Sequence, residues 1–240
     1  MPVPAVPLPR FLVTCEHGGN RVPPEYAGLF RGKKEVLASH RGYDLGALEL
    51  ARRFARGLDC VLVASTTTRL LVDLNRSLGH PKLFSEYAAA LDRASREQVL
   101  AKHYHPHRAR VEAIIREAIS QGRTVLHLAV HSFTPVLDGE VRRADIGLLY
   151  DPSRSLETGL CRRWQQSLQE GRPELRVRRN YPYLGTADGM ATHFRREFGP
   201  GHYAGIELEV NQSWPDGDRR RWLALQRVLV ETLTRLPPIQ

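Results

Sequence analysis

The chain has 240 residues, of which 42% are hydrophobic and 25% charged, enough for one globular domain with a proper core over 1–240. No stretch approaches the ~18 uninterrupted apolar residues of a membrane helix, so no membrane partner is expected. The formal net charge of +9 suggests anionic ligands, yet arginine is spread along the chain with no dense basic block, so no nucleic-acid partner is expected either.

Met1 to Pro9 is apolar and proline-rich and lacks a basic leader, so residues 1–9 read as an extended arm rather than a signal peptide. Phe11 to Cys15 predicts the first strand and leads into Glu16-His17-Gly18-Gly19-Asn20. A helix over 44–56 would carry Leu45, Leu48, Ala51, Phe54 and Ala55 on one face. Apolar runs at 60–66 and 70–74 predict two strands, as an antiparallel pair or one bent strand. A helix is expected over 85–102, with Ala88, Leu91, Ala94 and Val99 near helical spacing. The stretch His103-Tyr104-His105-Pro106-His107 reads as a helix-to-helix junction broken at Pro106, because dedicated zinc motifs have other spacings. Val111, Ile114, Ile115 and Ile119 give the next helix, 107–121, a buried stripe.

Strands follow at 124–131 and 145–150, separated by a polar excursion with the turn signal Asp138-Gly139. Beyond them come a helix at 155–169, a strand at 175–179, a strand at 204–211 and a helix at 218–235. Residues 180–203 carry little periodicity and read as a long functional loop with one short helix. Strands alternating with helices of this length argue an α/β fold of three layers, with a mixed, mostly parallel central sheet and helices on both faces. The three cysteines, Cys15, Cys60 and Cys161, are far apart and form no CxxC pair, which points to a reducing compartment and hence the cytoplasm.

Two histidines, His17 and His131, stand where apolar strands run out. In an open α/β sheet the carboxyl ends of strands converge on one crevice. Two imidazoles meeting there suit a zinc ion. His127, four residues before His131 on the same strand face, reads as a core residue. Asp44 is either a helix N-cap or the oxygen ligand that completes a two-His-one-carboxylate site, and Glu16 competes for that place. The segment Arg69 to Arg76 ends in Asp-x-Asn-Arg: Asn75 and Arg76 could grip a substrate carboxylate, and Arg69 could polarise a carbonyl. Asp73 could instead pair with an arginine. Gly205 to Gln212 alternates strictly, so Glu207 and Glu209 share a face that is either solvated or a pocket wall holding the general base.

Taken in order, six segments resemble the N-formylglutamate amidohydrolase family: Cys15 to Pro23, Tyr43 to Ala47, Arg69 to Arg76, His131 to Pro135, Asp145 to Tyr150 and Gly205 to Gln212. The resemblance implies a phosphorylase/hydrolase-like fold of the zinc-carboxypeptidase and aspartoacylase kind. It implies a zinc-dependent amidohydrolase of an N-formyl or N-acyl amino acid, with one zinc held by His17 and His131. By similarity Asn75 and Arg76 would hold the substrate carboxylate, Arg69 would stabilise the oxyanion and Glu209 would be the base. Carboxypeptidase-type relatives place a glutamate three residues after the first histidine, where this chain has Asn20, so the third ligand stays open between Asp44 and Glu16. The alternative function is a non-catalytic protein that binds acyl amino acids or other anions.

Overall fold

β-branched and leucine-rich runs form a six-stranded sheet in the order β2-β1-β3-β8-β6-β7. The strands are β1 (Arg10–Cys15), β2 (Val61–Ala64), β3 (Val125–Phe133), β6 (Ile146–Leu149), β7 (Val177–Arg179) and β8 (Tyr203–Asn211). A separate hairpin pairs β4 (Val136–Leu137) with β5 (Glu140–Val141). Its turn is the Asp138-Gly139 signal, and both residues adopt positive φ, 50° and 83°, as a tight two-residue hairpin turn requires. Within the sheet β1 runs parallel to β2 and β3, β3 to β8, and β6 to β7, whereas β6 and β8 are antiparallel. The sheet is therefore mixed and mostly parallel. This computed structural model describes residues 10–236; the arm expected at 1–9 lies outside them.

Strand alternation divides the core. Val13, Leu128, Val130, Ile206 and Leu208 face one side, where α2 (Ala47–Gly57), α5 (Ser155–Gly171) and α7 (Arg219–Thr234) cover them. Phe54 of α2 meets Trp164 of α5 edge-on, with ring centroids 6.0 Å apart, which locks the two helices together. Leu12, Val63, Val125 and Tyr203 face the other side, under α4 (His105–Ser120) and α6 (Met190–Glu197). Helices on both faces give the three layers expected. The short α6 sits within the long 180–203 loop, also as expected. The three cysteines are free, and no helix among the described residues is long and apolar enough to cross a membrane.

Four local expectations fail for physical reasons. Residues 70–74 form no strand: Leu70, Leu71, Val72 and Leu74 are buried in a separate cluster with Tyr26, Phe30, Val99 and Tyr104. There the apolar run reports burial from all sides rather than pairing, and Asp73 N–H bonds to Leu83 O at 2.8 Å instead of to a ladder. The helix expected over 85–102 is broken. A 3-10 turn at Ala88–Ala90 precedes α3 (Arg93–Val99), whose N-cap Asp92 accepts a bond from Ser95 N–H at 2.7 Å. A π turn, Leu100–Tyr104, then runs straight into α4 with no break at Pro106, which occupies the first turn, where a missing N–H is harmless. The helix expected from Asp44 begins only at Ala47, after Gly46 in the left-handed region; α1 (Lys34–Ala38) lies upstream.

Candidate metal centre

Because β1 and β3 are parallel neighbours, with Thr14 opposite Ala129, the chain leaving β1 carries His17 to the place where β3 presents His131. Their ring centroids are 5.1 Å apart. The turn after His17 is stitched to the chain leaving β2: Gly18 N–H donates to Ser65 O at 3.0 Å. A Cβ on Gly18 would lie 2.8 Å from that same carbonyl, so only glycine permits the approach. Asp44 enters from the loop before α2, its N–H bonded to His17 O at 2.9 Å.

The side chains then converge. Asp44 Oδ2 lies 2.9 Å from His131 Nδ1 and 3.4 Å from His17 Nδ1. All three residues are at most 4% exposed. Burial works to raise the Asp44 pKa, but His17, His131 and Arg69 outweigh it and hold the carboxyl well below its ordinary value. A carboxylate stands behind each outward nitrogen. His17 Nε2 lies 2.7 Å from Asp73 Oδ1, and Asp73 Oδ2 accepts bonds from Arg69 Nη2 at 2.6 Å and Nε at 3.2 Å. His131 Nε2 lies 3.1 Å from Glu16 Oε2. The donor atoms of His17, Asp44 and His131 all fall within 4.8 Å of one another. Two imidazoles and a carboxylate are the donor set of a catalytic zinc-type site, and a carboxylate behind a ligating histidine is the usual support. These residues therefore fit a divalent ion. Glu16, the competitor for the oxygen position, stands behind His131 instead of facing His17.

Strand β8 supplies the wall. His131 is in register with Glu209, and Ala129 with Glu207, so both glutamates share the face of the histidines. They are 6% and 9% exposed, since β8 lies inside the sheet between β3 and β6; the solvated-face alternative is excluded. Burial pushes the Glu209 carboxyl up to about 8, and burial raises Glu207 as well. Glu209 Oε2 is buried without a hydrogen-bond partner. Asn75 Oδ1 accepts from Met190 N–H at 2.6 Å, and Arg76 Nη1 donates to Asp188 O at 2.8 Å. Arg69, with 26% of its side chain exposed, is held by Asp73 and, at 3.4 Å, by Asp44. A cavity of about 620 Å³ is lined by His17, Asp44, Arg69, Asn75, Arg76, His131 and Glu209, whereas Glu16 does not line it.

His127 is a satisfied core residue, as expected: it lies 2.8 Å from Thr14 Oγ1 and 2.6 Å from Tyr203 OH, and burial lowers its pKa to about 4. Asp73 does pair with an arginine, but its bond to His17 was not legible: nothing local in Asp-x-Asn-Arg tells which distant base the carboxylate meets.

The model of the N-formylglutamate amidohydrolase family matches residues 9–214. A gene product of Agrobacterium tumefaciens of known structure is 30% identical, with a TM-score of 0.77 over 94% of this chain and 91% of that one. An N-formylglutamate amidohydrolase from Ralstonia eutropha is 19% identical, with a TM-score of 0.70 over 95% of this chain and 92% of that one. A metallo-carboxypeptidase from Burkholderia cenocepacia aligns at 13% identity and a TM-score of 0.43, over 96% of this chain and 57% of that one. No curated protein sequence matches.

Proposed function

The chain belongs to the N-formylglutamate amidohydrolase family, and on that premise we propose that it hydrolyses the amide of an N-formyl or N-acyl amino acid with one divalent ion of zinc type held by His17, Asp44 and His131. The observation that carries this reading is the convergence of two Nδ1 atoms on one carboxylate, with a second carboxylate behind each ring. An ion held there supplies Lewis acidity, polarising a carbonyl and lowering the pKa of water.

The other roles fall to residues of the cavity. Glu209 accepts the proton of the attacking water and returns it to the leaving amine. Its register opposite His131 favours it over Glu207, which lies beside Asn75 next to Gly189. A carboxyl raised to about 8 by burial is matched to exchanging a proton near neutral pH. Arg69, fixed by Asp44 and Asp73, offers its charge to the oxyanion. Asn75 and Arg76 hold the substrate carboxylate and so set the position of the scissile bond.

A screen of N-formyl and N-acyl amino acids against zinc-loaded protein tests the proposal. Turnover is expected for at least one of them, and His17→Ala is expected to lose both the ion and the turnover. Full activity in His17→Ala contradicts the metal site; tight binding without turnover points instead to a sensor.

A further inference from the structure

Glu16 stands between two histidines, His131 and His107. Its side chain is fully buried beside two imidazoles, with neither carboxylate oxygen in a well-aligned hydrogen bond. An ionised carboxylate costs several kcal/mol to bury, roughly the effective desolvation penalty per ion, unless cations or donors stand beside it. Its nearest cationic or donor atoms are His131 Nε2 at 3.1 Å and His107 Nε2 at 3.8 Å, and both of those nitrogens are also buried without a hydrogen-bond partner. His107 belongs to the His-Tyr-His-Pro-His stretch and stands in the first turn of α4. The preceding π turn inserts a residue and so sets which side chains of α4 face the sheet; His107 is one of them, 9% exposed. On the other side of the site the same arrangement is complete: His17 is backed by Asp73, and Asp73 by Arg69.

We propose that Glu16 and His107 are positioning residues of the metal centre: Glu16 holds His131 through Nε2, and His107 holds Glu16. A carboxylate at Nε2 keeps the proton there and leaves the Nδ1 lone pair directed at the ion. The inference rests on the reading that His17, Asp44 and His131 bind that ion.

The test measures zinc affinity by competition with a chromophoric chelator, the visible bands of the cobalt-substituted protein, and thermal melting of the metal-free protein. Glu16→Leu is expected to weaken zinc binding about 10–100-fold and to alter the cobalt bands. Its metal-free melting temperature should fall, because removing Glu16 leaves the buried His131 and His107 nitrogens without their carboxylate, so the cobalt bands and zinc affinity of the folded variant carry the test. Glu16→Gln, which keeps an acceptor, should recover part of the affinity. His107→Leu should lose less, and nothing further in the Glu16→Leu background. Should Glu16→Leu not fold, His107→Leu decides by the same readouts. Wild-type affinity and bands in folded Glu16→Leu, or in His107→Leu, overturn the inference alone. A wild-type protein that binds no ion overturns it together with the metal site.

Discussion

At the scale of the residue, the function turns on what burial does to a few acids. Asp44 is buried beside two imidazoles and Arg69, so it stays ionised; Glu209 is buried facing a cavity with one oxygen unpartnered, which pushes its carboxyl up to about 8, where it can exchange a proton near neutral pH. Glu209→Gln is therefore expected to keep its zinc and lose about 10²–10⁴-fold in turnover, measured as kcat beside metal content. The metal-free protein gives a second readout. Burial raises the Glu209 pKa from an ordinary 4.5 to about 8. Between those values the unfolded chain has released a proton that the folded chain retains, so this group's contribution to stability falls as pH rises from about 4.5 to about 8 and is level above. Melting of the metal-free proteins should show Glu209→Gln more stable than wild type at pH 8, with the gap closing towards pH 5. His17, His131 and Glu209 were legible in the sequence because strand ends and strict alternation are local signals. The choice between Asp44 and Glu16 was not, since it depends on how a loop of more than twenty residues returns to the strand end.

At the scale of the element, close backbone approach holds the site and one buried ion pair ties α5 and α6 to β8. A methyl group on Gly18 would press on Ser65 O, and overpacking of this kind costs about 1–3 kcal/mol. Gly18→Ala should lower the urea midpoint accordingly and weaken zinc binding, because the turn it displaces carries His17. Arg195 of α6 bonds to Glu157 of α5 at 3.0 Å and to Gly205 O of β8 at 2.7 Å, and also donates to Gly185 O. Arg195 is 7% exposed and Glu157 is fully buried. Removing one partner of such a pair costs about 3–5 kcal/mol, so Arg195→Met should show that loss in equilibrium unfolding. Periodicity revealed α2, α4, α5 and α7. It failed at 70–74, where four buried apolar residues in irregular chain imitate a strand, and at 85–102, where a 3-10 turn, a capped helix and a π turn share one apolar spacing.

At the scale of the whole molecule, the sheet order brings β1, β3 and β8 side by side, and with them the histidines and glutamates of segments far apart in sequence. That adjacency follows from parallel pairing, which the alternation of strands and helices announces in outline; the strand order itself is written in no single segment. An ion bound only by the folded chain also stabilises it, by about 2.7 kcal/mol at a hundred times its dissociation constant. The central claim is one divalent ion at His17, Asp44 and His131. Elemental analysis of untagged protein purified without chelator tests it most directly: one zinc-type ion per chain in the wild type and almost none in His131→Ala is the expected result. A wild-type protein that hydrolyses its acyl amino acid with no bound metal contradicts the account.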